Sequence, residues 1–226
     1  MRKLLFIVFF ILQSSVSSSH MGHYNKYNKI EMDILRNGEL IGYNYYYFKR
    51  NNDEIIVTNQ IKFSIKLLGK AIFKVEGYGE EKYFKDQLIS YNSKTLQNDK
   101  EKYVNLIFDK NKNIFNIKGS SYNGEASANN IIGNWWNHKI LQASSQISPV
   151  SGSIKDQVIT FLGKEKIEQY GKIYKVDHFK LNSKDMSLPK NKRLDFDIWY
   201  DRNNSIIIRV SYSRMGNWEY RLKSVK

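Results

Sequence analysis

Cysteine is absent from the 226 residues, proline occurs twice and histidine four times. Without cysteine there are no disulfide staples, no thiolate metal sites and no thiol nucleophile, and no lipid can be attached through a cysteine at a cleavage site. His20, His23, His138 and His178 stand in no His-x-x-x-His or His-x-His spacing, so no preformed metal site is indicated. His20-Met21-Gly22-His23 reads as a disordered leader rather than a metal-binding terminus. There is no Gly-x-Ser-x-Gly elbow and no phosphate-binding glycine loop. No cofactor is expected. One long apolar run exists, Leu4 to Leu12, and it is shorter than the roughly 20 residues that cross a bilayer. No transmembrane span is expected.

That run has another use. Arg2 and Lys3 precede it and the small polar stretch Ser14 to Ser19 follows. A basic start, an apolar stretch of about 7–15 residues and a small-residue exit describe a secretory signal peptide. The expectation is a signal peptide over residues 1–19, cut near Ser17 or Ser19, and export to the periplasm of a Gram-negative bacterium. About 200 residues then remain, enough for one hydrophobic core without staples.

The formal charge is +14, and losing Arg2 and Lys3 leaves two fewer. No run of five or six basic residues occurs, and Asn, Ile, Tyr, Phe and Lys, all with A/T-rich codons, are abundant. Genome composition accounts for much of such a charge. The alternative reading is a real attraction to anionic lipid headgroups or acidic glycans, which would weaken with salt. Nucleic acid is not an expected partner for an exported chain.

The dominant period is two. From Glu54 to Leu67, Ile55, Val57, Ile61, Phe63, Ile65 and Leu67 point one way, and Ile56, Thr58, Gln60, Lys62, Ser64 and Lys66 the other. Such alternation reads as a half-buried antiparallel strand. It recurs in Ile30, Met32 and Ile34, in Leu194, Phe196, Ile198 and Tyr200, and in Ile206, Ile208, Val210 and Tyr212. Asn37-Gly38 is a strong hairpin signal, and Asn52-Asp53, Gly69, Asp86 and Asn203-Asn204 suit further turns. The expected fold is all-β, one domain over residues 27–226. It is a strongly curved antiparallel meander or part-closed barrel of about ten strands, with sequence neighbours paired. Residues 120–153 lack alternation but carry Trp135 and Trp136. They read as an irregular segment covering the sheet, with a helical turn around Ala126 to Ile132.

Carboxylates and aromatics supply the candidate site. Glu76 and Glu81 lie on one strand around Gly77 and Gly79, whose missing side chains would let the strand bend or a ligand approach. Two acids can do acid–base work without a motif, provided they converge on one cleft. Tyr43, Tyr45 and Tyr47 share one face of a strand while Gly42, Tyr46 and Phe48 share the other. Rings with a polar end suit sugar or lipid contact as well as packing. Trp135, Trp136 and Asn137, two indoles beside an amide, form either the lid of a pocket or a plug that caps the sheet.

Gly38-Glu39-Leu40-Ile41-Gly42-Tyr43, Phe63-Ser64-Ile65-Lys66-Leu67-Leu68-Gly69, Leu88-Ile89-Ser90, Trp136-Asn137, Asp197-Ile198-Trp199-Tyr200-Asp201 and Tyr220-Arg221-Leu222 occur in that order. In order and spacing, from about Ile30 to Leu222, the chain resembles a bacterial family of exported proteins known as a domain of unknown function, DUF6134. The family's segment before Trp-Asn commonly carries Pro and Thr, where this chain has Ile131-Ile132-Gly133-Asn134. The resemblance implies export and an all-β fold, and brings no activity or catalytic residues.

The expected function is a non-enzymatic binder or carrier of an apolar or amphiphilic, lipid-like envelope molecule, with Trp135, Trp136 and tyrosines such as Tyr45 at the cavity. The alternatives are a carboxylate-dependent enzyme acting on an envelope glycan or lipid, and a structural or assembly factor of the envelope.

Overall fold

The computed structural model describes residues 20–226, and the expected signal peptide lies outside the described residues. Eight strands come first: β1 (Lys29–Arg36), β2 (Glu39–Asn51), β3 (Glu54–Leu67), β4 (Lys70–Phe84), β5 (Gln87–Gln97), β6 (Lys100–Asp109), β7 (Ile114–Gly119) and β8 (Asn123–Ser127). Seven follow: β9 (Ile131–Ile132), β10 (Ser145–Ile147), β11 (Ile154–Gln169), β12 (Lys172–Ser183), β13 (Asp195–Asp201), β14 (Ile206–Ser213) and β15 (Asn217–Val225). The count is therefore fifteen, not about ten. Short strands inside the region expected to be irregular account for part of the difference. Its helical turn lies at His138–Leu141 rather than around Ala126 to Ile132, which form β8, β9 and the turn between them.

All fifteen strands belong to one sheet in the order β8-β7-β6-β5-β4-β3-β2-β1-β15-β14-β13-β12-β11-β10-β9. The simple meander is corrected at two places. The last strand pairs antiparallel with the first, Ile34 opposite Tyr220, and the consecutive strands β8 and β9 stand at opposite edges. Residues 128–130 join those edges and reach no further than about 15 Å. Edges so distant in pairing order and so near in chain require the sheet to curl round on itself. No ladder joins β8 to β9 among the described residues, so the sheet stays open.

Local chemistry explains the hairpins. Asn37 and Gly38 take φ of +51° and +83°, the left-handed pair that a two-residue turn between twisted strands demands. Alternation then sorts the faces: Ile30, Met32 and Ile34 of β1, Tyr46 and Phe48 of β2, and Leu106 and Phe115 of β6 and β7 are buried on the concave side. On β3 the apolar alternation outruns the core, and Leu67 is exposed.

Two features fill the concavity. Residues 133–141 pass through it, with Trp136 and Ile140 fully buried. The segment from His20 to Tyr24 packs beside them as a 3-10 turn, with Met21 and Tyr24 buried. This corrects the expected disordered leader and the start of the folded region at residue 27. Arg50 secures the segment by donating to the carbonyls of Tyr24 and Tyr27 at 2.6 and 2.5 Å. Apolar Met and Tyr beside two histidines had no periodicity to mark them.

The outer face is covered in one place. The β11–β12 hairpin extends past the end of β13, whose pairing stops at Asp177–Tyr200. Near its tip Gln169 is buried, and its amide donates to the carbonyls of Ile208 at 3.2 Å and Leu222 at 2.8 Å. Those carbonyls lie where β14 and β15 diverge, beyond the Arg209–Arg221 pair. Gln169 therefore closes a split in the sheet.

Candidate functional site

The two tryptophans divide the roles that the sequence left open. Trp136 is a plug. Its indole lies edge-on to Tyr24, Phe48 and Tyr83, at 5.0, 5.4 and 5.9 Å between centroids. Its Nε1 donates to Glu81 Oε1 at 2.8 Å, and Asn134 Nδ2 donates to the same oxygen at 2.6 Å. Tyr83 donates its hydroxyl proton to the other carboxylate oxygen at 2.5 Å. Glu81 is 2 % exposed. Burial pushes its pKa up from the ordinary carboxylate value, while the Tyr83, Trp136 and Asn134 donors pull it down. A Glu on the apolar side of the strand is tolerable because every donor around it is spent on it.

Asn137 serves its own segment and the network around Glu81, since its side chain also hydrogen-bonds the Tyr83 hydroxyl. Its side chain accepts from Lys139 N at 3.0 Å and caps the 3-10 turn His138–Leu141. His138 then meets the amino-terminal segment. The Tyr24 hydroxyl accepts from the His138 backbone N–H at 2.9 Å and shares a second hydrogen bond with His138 Nδ1 at 2.6 Å. Burial, with the nearby His23 and Lys139 charges, lowers the His138 pKa to about 4.

Trp135 faces the other way and forms the wall of a hollow of about 230 Å³. Its ring packs on Phe196 at 5.1 Å and Tyr220 at 6.2 Å, and its backbone N–H donates to the Tyr46 hydroxyl at 3.2 Å. Tyr46, Tyr91, Phe196, Tyr212 and Tyr220 complete an aromatic lining. Asn44 and Asn59 add amides on one side, and Val150 and Arg214, from turns, mark its outer edge. The Tyr91 and Ser93 hydroxyls both donate to the Pro149 carbonyl, at 2.9 and 2.7 Å, holding the 148–153 turn over the hollow.

The other candidates lie elsewhere. Tyr43 and Tyr45 are on the convex face, stacked on each other at 4.3 Å, with the Lys29 ammonium 4.5 Å from the Tyr45 ring. This corrects the expectation of Tyr45 at the cavity: the period separated the faces of β2 but did not say which one is concave, and Tyr46 is the residue inside. Glu76 is exposed and paired with Lys62 at 3.2 Å. Five residues apart on one strand, Glu76 and Glu81 emerge on opposite faces, so they do not converge on a cleft. Gly79 opens no approach for a ligand either, because the Tyr91 hydroxyl would sit 3.0 Å from a side-chain carbon there. Sequence reasoning missed Tyr91, Tyr212, Tyr220 and Arg214, which come from strands and turns far apart in the chain. The described residues hold no cluster of three or more His, Cys, Asp or Glu able to bind a metal.

Comparison with known proteins adds fold and family. No protein among those of curated function matches the chain. The crystal structure of a β-barrel-like protein from Brucella abortus, belonging to a domain of unknown function, DUF1849, superposes with a TM-score of 0.59 at 8 % identity. The match covers 88 % of this chain and 96 % of that one. At that identity the likeness is one of fold. A protein described as exported, with a YmcC-like fold, from Bacteroides fragilis matches at a TM-score of 0.37 and 11 % identity, over 88 % of this chain and 94 % of that one. The family model for a domain of unknown function, DUF6134, matches residues 32–223. The chain belongs to the DUF6134 family.

Proposed function

We propose that this protein is exported to the periplasm and, without catalysing a reaction, holds an apolar or amphiphilic, lipid-like molecule against Trp135. The aromatic hollow carries this proposal. Its rings offer apolar faces and polar edges together, and Arg214 at the rim suits an acidic headgroup. The volume is below the roughly 300–1,000 Å³ of drug-sized pockets, so it fits one end of a chain or a single ring rather than a whole multi-chain lipid. An acid–base enzyme finds no support in Glu76 and Glu81, which open onto opposite faces. Export is supported by the basic, apolar and small-residue order of residues 1–19. Cleavage after Ser17 or Ser19 spares Met21 and Tyr24, which the core needs, whereas a later cut removes them.

Native mass spectrometry of the protein recovered from periplasmic extract tests both parts. The expected result is a mature chain starting at residue 18 or 20 that carries a lipid-sized adduct. Trp135→Ala should lose that adduct. Trp135 is buried as well as a wall of the hollow, so the variant is compared at a circular dichroism spectrum equal to the parent's, and Trp135→Phe should keep the fold and weaken the adduct. A ligand-free protein that also fails to bind a fluorescent fatty acid would overturn the binding proposal.

A further inference from the structure

The end of the sheet that bears the hollow's rim also bears apolar residues at turn tips. Antiparallel pairing puts turns 37–38, 68–69, 98–99 and 214–216 and the 184–194 loop at that end. The β3–β4 hairpin projects furthest. β3 pairs with β2 only as far as Phe63–Gly42, and β4 pairs with β5 only from Val75. The ribbon beyond is free of both ladders for four or five residues. On one side it outreaches the 98–99 turn, which bonds back to Lys74, and on the other residues 39–41 run beside 64–66 across a cleft without pairing.

Leu68 at its tip is 96 % exposed and has φ +49°. Three other hairpins put asparagine at this corner, Asn37, Asn52 and Asn98, the side chain that tolerates a left-handed backbone. Leucine there is disfavoured twice over, by conformation and by water contact, and the fold needs neither. Met215 repeats the combination on the β14–β15 turn, 88 % exposed with φ +51°. At the opposite end the left-handed corners are Asn52, Lys85, Asp86, Asn113, Ser205 and Tyr170, the last tied to Asp33 by its hydroxyl. Ile173, beside the Tyr170-Gly171 turn, is exposed at that end too, but among the described residues an aliphatic side chain at the left-handed corner itself occurs only at Leu68 and Met215.

Cations surround those tips. Lys66 and Lys70 flank Leu67 and Leu68, Arg214 precedes Met215, and Lys184, Lys190, Lys192 and Arg193 accompany the exposed Met186. Glu39, Asp99, Asp185 and Asp195 are the acids of the same turns and their immediate flanks, fewer than the lysines and arginines. Aliphatic tips within a collar of lysine and arginine match a bilayer surface: the tips enter the acyl boundary and the ammonium groups stay with the headgroups.

We propose that the β3–β4 tip, Leu67 and Leu68 with Lys66 and Lys70, is a membrane-docking finger that sets the rim end on a bilayer carrying anionic lipid. Met215 and Met186 form its second point of contact. Docking needs the tips and not the hollow, so it stands apart from the ligand proposal.

Residues 20–226, which contain every strand and the whole described core, are mixed with vesicles of phosphatidylcholine alone or with phosphatidylglycerol, and the bound fraction is measured by flotation. Binding is expected to require phosphatidylglycerol and to weaken as salt rises. Leu68→Asn should lower partitioning roughly tenfold, the scale set by one leucine leaving an apolar phase. It should leave the melting temperature unchanged or raised, since asparagine suits the corner. Lys66→Glu with Lys70→Glu should weaken binding at low salt only. Trp135→Ala should float like the parent, separating docking from ligand binding. A parent that stays with the aqueous phase, or a Leu68→Asn variant that floats equally well, overturns the proposal. So does a concentration-dependent dimer lost in Leu68→Asn without vesicle binding, which would make a second copy the partner.

Discussion

Burial acts on His138 and Glu81 in opposite senses, although both hold the crossing segment. The His138 pKa falls from 6.5 to about 4, so its contribution to stability is complete above pH 6.5 and is lost as pH drops toward 4. The structural event is local: protonation puts a charge on a buried ring that contacts Tyr24 and His23, which loosens the seat of the amino-terminal segment. Glu81 has a raised pKa, so its contribution is greatest below the ordinary carboxylate range and is lost as pH climbs through the folded value. It therefore partly offsets the acid loss from His138. In urea unfolding from pH 6.5 down to about 4, His138→Asn should flatten the acid decline, and Glu81→Gln should steepen it. Neither residue stood out by spacing. Glu81 was legible as a charge on an apolar face; of its donors Tyr83 is two residues away, whereas Asn134 and Trp136 come from a segment more than 50 positions away.

Among the elements, the β11–β12 hairpin shows what strand pattern reveals and conceals. Its turn at Tyr170-Gly171 takes φ of +52° and +73°, and the two strands are long. Nothing in their alternation says that the tip folds over the split between β14 and β15. Gln169→Leu removes both donors to the Ile208 and Leu222 carbonyls. Leaving two buried carbonyls unpaired should cost about 2 kcal/mol. Hydrogen exchange is expected to quicken in β14 and β15 and not in β4 to β6. Equal acceleration throughout would mean that Gln169 acts on global stability rather than on the split. For β2 the period correctly separated Tyr43, Tyr45 and Tyr47 from Tyr46 and Phe48, since successive side chains must alternate. Which set lies inside depends on the sign of sheet curvature.

For the whole molecule the termini are central. Lys226 O accepts from the backbone N–H groups of Asn28 and Lys29 at 2.5 and 3.0 Å, and β15 lies between β1 and β14. A chain ending at residue 216 therefore loses a middle strand, not an edge. It is expected to be unfolded by circular dichroism and open to proteolysis throughout. A truncated chain that keeps the parent's β spectrum would show the two halves of the sheet to be independent. Pairing first strand with last also makes contacts non-local, so folding should fall in the millisecond-to-second range typical of such β topologies.

The amino-acid order alone determined the strand period, the Asn-Gly turn, the lack of thiol chemistry and the family. The first two are matters of neighbouring side chains about a local backbone, the third of composition, and the family of the order of short motifs along the chain. The tertiary structure decided the count of fifteen, the meeting of β1 with β15, the burial of Met21 and Tyr24, and the opposite fates of Trp135 and Trp136. Those outcomes depend on which way a twisted sheet curls and on what then fills its concave side. Curvature sums over many strands, so no single stretch of sequence records it.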